Sequence, residues 1–187
     1  MSLLDTNRSS RLPTVCPADL SQQQQDEFWM QKAYELANRS QAQGEVPVGA
    51  VVVLNNTLIA EGWNQSITLN DPTAHAEVMA LKQAGDVVQN YRLIETTLYV
   101  TLEPCPMCAG AMVHARVKRL VFGAADLKTG AAGSVFNLLT HSALNHQVEI
   151  TGGVAQAQCS AQLSAFFKSR RAHHKQQRAQ LKENSCE

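Results

Sequence analysis

No stretch of this chain approaches the roughly 18–20 consecutive apolar residues of a membrane span, and its start lacks a basic region followed by an apolar run. Both absences argue against a helical membrane protein and make cytoplasmic residence the expectation. Cysteine is scarce as well: five residues, an odd number, two of them in a Cys-x2-Cys pair. That suits a reducing compartment better than a disulfide framework. Net charge is missing too, with 16 Lys/Arg against 16 Asp/Glu. A balanced total argues against a general nucleic-acid binder, which carries a basic footprint. No internal repeat is visible.

What is present fits one domain. A chain of 187 residues, 44% of them apolar, is long enough to bury a real core. Charge is unevenly distributed. Residues 161–187 hold Lys168, Arg170, Arg171, Lys175, Arg178 and Lys182 against Glu183 and Glu187. A basic end on an otherwise acidic body suits a phosphate backbone, and equally a solvated helical surface.

Residues 1–24 show no periodicity, contain Pro13 and Pro17, run into the glutamines Gln22 to Gln25, and read as a disordered extension. A domain over 25–172 and a basic tail over 173–187 follow. Within the domain, the apolar spacing predicts a helix over 26–43. Asn55-Asn56 marks the turn of a hairpin spanning 46–63. A second helix is expected over 74–84, with Asp71 or Thr73 available as its cap. A strand over 97–101, a helix opened by Pro106, and strands over 119–123 and 148–150 come next. A last helix begins near residue 155. Helices alternating with strands indicate α/β layers around one sheet.

The chemistry is concentrated in His75-Ala76-Glu77 and Pro104-Cys105-Pro106-Met107-Cys108. One imidazole and two thiolates suit a tetrahedral zinc ion, and three protein ligands leave the fourth position for water, as in catalytic sites. Glu77, two residues past the histidine, is close to the metal without being an obvious ligand, so it can relay protons. His75 and Cys105 both stand at helix starts, where dipoles and free N–H groups favour thiolate. A structural zinc knot completed by Cys16, Cys159, Cys186 or another histidine is the competing reading of the same residues. His114, six positions past Cys108, reads as a structural histidine. The small residues Ala109-Gly110-Ala111 suit either packing on the sheet or a subunit interface.

Beyond the zinc motif, most of 26–171 resembles the bacterial tRNA-specific adenosine deaminases. The resemblance is carried by Val46-Pro47-Val48-Gly49-Ala50, Gly62-Trp63-Asn64, Asp71-Pro72-Thr73-Ala74, Thr101-Leu102-Glu103, Cys108-Ala109-Gly110-Ala111 and Asp126 with Lys128-Thr129-Gly130-Ala131. It implies a three-layer cytidine-deaminase-like fold with a mixed five-stranded central sheet and helices on both faces. It further implies a homodimer with one zinc ion per subunit, converting adenosine to inosine at the wobble position of an arginine tRNA. His75, Cys105 and Cys108 would hold the metal, with Glu77 as the catalytic acid/base. By the same resemblance Asn64 would hydrogen-bond the target nucleoside and Val46 would line the base pocket. Asp126, Lys128, Phe167, Arg170 and Arg171 would meet the flanking anticodon loop. A deaminase of free guanine, cytosine or a nucleotide is the enzymatic alternative, and a zinc-stabilised RNA-binding module the non-enzymatic one. The family pattern assigns nothing to the glutamine-rich start.

Overall fold

A computed structural model describes residues 14–184. The elements are α1 (Gln22–Ala42), β1 (Gly49–Leu54), β2 (Thr57–Trp63), α2 (Ser66–Leu69), α3 (Ala76–Val88), β3 (Thr97–Leu102), α4 (Pro106–Ala115), β4 (Arg119–Ala124), β5 (Glu149–Gly152) and α5 (Gln156–Asn184). The strands form one sheet in the order β2-β1-β3-β4-β5. β1 runs antiparallel to β2 and β3, whereas β3, β4 and β5 are parallel, so the sheet is mixed as expected.

Period-two alternation along the central strands divides the core. Ala50 and Val52 of β1, Leu98 and Val100 of β3 and Leu120 of β4 face α3 and α4. Val51, Val53, Tyr99 and Val121 face α1 and the start of α5, around Trp29, Met30, Ala33 and Cys159. Helices therefore cover both faces, giving three layers. Asp26 of α1 accepts from both Arg119 Nη atoms at 2.7 Å and from the Tyr99 hydroxyl at 3.0 Å, tying α1 across the sheet.

The hairpin follows its turn chemistry. Asn55 and Asn56 have φ of 49° and 58°, the left-handed pair a tight two-residue turn requires. Gly62 has a different role. A Cβ there would lie 2.2 Å from the Ala76 carbonyl and 2.5 Å from the Ala80 amide, so only glycine lets the first turns of α3 lie on β2. Gly62→Ala is expected to cost about 1–3 kcal/mol through overpacking. Denaturant unfolding reads this, and parent stability would contradict the close approach.

Three expectations are corrected. Residues 14–24 are ordered rather than part of an extension: Val15 bridges Thr57, Cys16 is buried, and α1 starts at Gln22. Ser21 caps that helix in a reciprocal capping box with Gln24, which supplies its N-terminal partners locally. Residues 1–13 of the expected extension lie outside the described residues. Asp71 and Thr73 do not cap α3; Asp71 accepts from the Thr73 amide and hydroxyl, and His75 is the N-cap. His114 is exposed on α4 rather than held in the core. At the other end α5 continues unbroken through residue 173, so the basic tail is helical to Asn184. No helix among the described residues is long and apolar enough to cross a membrane.

Candidate active site

His75 stands at the N-cap of α3, and Cys105 at the N-cap of α4 with Pro106 in its first turn. The Asn64 side-chain carbonyl accepts from the Ala76 amide at 2.9 Å, so the end of β2 fixes the first turn of α3. Two helix N-termini thereby converge. His75 Nδ1 lies 3.7 Å from Cys105 Sγ and 3.6 Å from Cys108 Sγ, and the two sulfurs are 3.7 Å apart.

These separations fit one metal ion. With Zn–S near 2.3 Å and Zn–N near 2.0–2.1 Å, a tetrahedron has S···S edges of about 3.8 Å and S···N edges of about 3.6 Å. All three observed edges agree to within roughly 0.1–0.2 Å of these. The donor set, one nitrogen and two sulfurs, also suits zinc. Cys16 and Cys159 pack on the opposite face of the sheet, among Trp29, Met30 and Val121, so neither completes a closed knot. Cys186 lies outside the described residues.

Electrostatics point the same way. Geometry alone lets either thiol donate to the other. Both sulfurs lie close to the imidazole, but Cys105 is half-buried whereas Cys108 is fully buried, so Cys105 is the one to ionise. Its pKa falls to about 4, chiefly through the hydrogen bond from Cys108 and then through His75. The same bond and burial push the Cys108 thiol up. The hydrogen bond with Cys105 raises His75. A divalent cation would replace the shared proton and hold both thiolates. Glu77 is 4% exposed and outside the ligand trio. Burial raises its carboxyl pKa, and the nearby His75 imidazole only partly offsets this.

A cleft of about 560 Å³ gathers Val46, Asp126, Lys128, Phe167 and Arg171, with Leu102 and Leu163 on its walls. Leu102 is three residues from Cys105, so one strand end serves both the cleft and the trio. Phe167 is 44% exposed there. Two predicted contacts lie elsewhere. Asn64 is buried beside α3, its NH2 without a protein partner among the described residues, and Arg170 turns its guanidinium toward Phe166, 6.0 Å from the ring centre.

The family profile of the MafB19-like deaminases matches residues 24–171. A tRNA-specific adenosine deaminase from Haemophilus influenzae is 54% identical over 158 residues, covering 84% of this chain and 91% of that protein. The chain belongs to the tRNA-specific adenosine deaminase family. The Bacillus subtilis member is 45% identical, covering 85% of this chain and 99% of its own. A solved tRNA:A34 deaminase, described as editing A to I at the tRNA wobble position, superposes with a TM-score of 0.70. It is 38% identical and covers 72% of this chain and 98% of that one. A guanine deaminase from Nitrosomonas europaea shares the fold, with a TM-score of 0.68 at 24% identity, covering 83% of this chain and 87% of that one.

One residue of this deaminase escaped the motif reading. Glu103, 2% exposed, accepts from the amides of Asp126, Ala132 and Ser134, each at 3.0 Å, and from the Ser134 hydroxyl. Gly130 packs on it so closely that a Cβ would lie 2.5 Å from its carboxylate. Glu103 thus joins the strand leading to Cys105 to the loop carrying Asp126 and Lys128. Burial pushes its pKa up, but the hydrogen bonds from Ser134, Asp126 and Ala132 outweigh burial and hold it below the ordinary value. Its ionisation therefore stabilises the fold above the unfolded glutamate pKa, and that contribution is lost as pH falls through the depressed one. Glu103→Gln turns an NH2 toward donors and is expected to cost about 1–3 kcal/mol. Hydrogen exchange at residues 126, 132 and 134 should rise most, and unchanged protection would contradict the clamp. Glu103 itself has no local signal; its partners are 23–31 residues away.

Proposed function

We propose that this deaminase converts adenosine to inosine at the wobble position of a tRNA anticodon, that of an arginine tRNA. The observation that carries the reading is the His75–Cys105–Cys108 trio at tetrahedral spacing with the buried carboxyl of Glu77 beside it. The substrate comes from the family, whose solved tRNA:A34 member acts at the wobble position. His75, Cys105 and Cys108 would hold one zinc ion per subunit. When bound, zinc supplies a water activated at neutral pH.

The chain's own residues do the rest. Glu77 takes a proton from the attacking water and delivers it to the purine ring nitrogen as oxygen adds at C6. It then takes the remaining proton from the hydroxyl added at C6 and passes it to the C6 amine, so the C–N bond breaks and ammonia leaves; adenosine and water give inosine and ammonia. Its raised pKa suits a group that must both accept and return a proton. The free NH2 of Asn64 is available to the nucleoside while its carbonyl stays on Ala76. Val46 lines the base pocket, and Phe167 offers an exposed ring for stacking a splayed loop base. Asp126, Lys128, Arg170 and Arg171 meet the flanking nucleotides. Asp126 is prearranged for this by the Thr129 hydroxyl at 2.6 Å and the Lys128 amide at 2.9 Å.

The functional unit is the deaminase domain, its start extended to include the packed residues 14–24, acting in the cytoplasm as a homodimer. Gly110 supports the second copy: a Cβ there would meet nothing within 4 Å, beside a 620 Å³ hollow between α3 and α4 that exposes Tyr91. That hollow, though larger than the cleft, holds none of the trio. The test is a substrate panel: an anticodon stem-loop with wobble adenosine, against free adenosine, guanine and cytosine. Ammonia from the stem-loop alone supports the reading; turnover of a free base with the stem-loop untouched overturns the substrate.

A further inference from the structure

The face of α5 that lines the cleft does not stop there. Ser164, Phe167 and Arg171 contribute to the cleft wall at helical spacing. The same face continues through His174, Lys175 and Arg178, all exposed on an unbroken helix. At about 100° per residue these positions, with Lys168, fall within an arc of about 120°. The opposite side carries Ala165, Ser169, Ala172, His173, Gln176 and Gln180 and no Lys or Arg. Of the basic residues between 168 and 178, only Arg170 and His173 fall outside the arc. They face Phe166 and Gln177 respectively.

None of Lys168, Arg171, Lys175 and Arg178 is in an ion pair among the described residues. Like charges three and four residues apart weaken a helix, and an exposed extension gains little from packing. A polyanion laid along the face reverses the first of these effects. Arg178 lies seven residues past Arg171, about 10 Å along the axis.

We propose that this face of α5 is a track for the phosphate backbone of the paired anticodon stem, engaged while the loop of the same RNA occupies the cleft. It rests on the tRNA reading above. Two features commit it to a nucleic-acid backbone: unpaired cations of one sign, and continuity with the cleft at Arg171. α5 runs on for 13 residues past Arg171, about 20 Å beyond the cleft, so RNA lying along it is RNA that flanks the loop.

The test uses full-length Lys175→Gln/Arg178→Gln protein, with Gln176→Ala/Gln180→Ala on the opposite side as a helix control. Dissociation constants are measured across a salt series for an anticodon stem-loop and for a single-stranded oligonucleotide of the loop sequence. The double-Gln variant should bind the stem-loop on the order of tenfold more weakly, with a log Kd–log salt slope shallower by about 1.4–1.8. The loop oligonucleotide should lose far less, and the control variant should match the parent on both RNAs. An unchanged Kd and slope for the stem-loop overturns the track, and equal losses on both RNAs overturn its assignment to the stem. A parent protein that makes no inosine in the stem-loop fails the underlying substrate reading instead, in an assay the variants do not enter.

Discussion

Glu77→Gln protein is expected to fold, to keep zinc at the parent level and to lose turnover by a factor of at least ~10²–10⁴, the range of a positioned acid/base. Glutamine matches glutamate in shape, so the buried site in the first turn of α3 is filled as before. Glu77 is not one of the three residues whose ligand atoms converge, so metal content should not follow it. What changes is the proton. An amide can neither accept one from water nor return it to the departing amine. Metal analysis beside an inosine assay separates the two effects. Near-parent turnover would remove Glu77 from the chemistry, and joint loss of zinc and turnover would make it a ligand.

Cys105→Ala should do the opposite to the metal. It removes one of three ligands and leaves His75 and Cys108, a pair too few for a retained zinc ion. Zinc content should fall to background and activity with it. Stability follows by mass action: a ligand at about 1,000 times its Kd contributes about 4 kcal/mol to the folded state. Chelator should therefore lower the parent Tm by several degrees and leave that of the variant unmoved. Protons compete for the same atoms, so zinc retention in the parent should weaken as pH falls. Full zinc occupancy in Cys105→Ala would show that the ion sits elsewhere.

The convergence of His75, Cys105 and Cys108 was legible because its geometry is nearly local. Cys105 and Cys108 sit in one helical turn opened by Pro106, and His75 begins the preceding long helix, so spacing alone indicates convergence. The hairpin was legible for a similar reason, since Asn55 and Asn56 tolerate the left-handed backbone their turn demands. The start of α1 was visible in principle. Ser21 and Gln24 spell a capping box, but it is masked by a glutamine run of disordered composition. The order at Cys16 was not legible, because its burial depends on Asn56, 40 residues away, which donates to its carbonyl. Glu45 and Glu103 were hidden for the same reason. Each is a buried carboxylate whose partners are distant backbone amides or hydroxyls, Thr68 for the first and the 126–134 loop for the second. A motif names the residue that does chemistry; the residue that holds a loop in position is defined only by the fold.

The most direct measurement is position-resolved sequencing of an arginine tRNA with wobble adenosine after incubation with zinc-loaded protein. Inosine is expected at the first anticodon position, with one ammonia released per inosine and every other adenosine unchanged. An unmodified wobble adenosine in the presence of bound zinc, with ammonia released from free guanine or cytosine, would contradict this expectation.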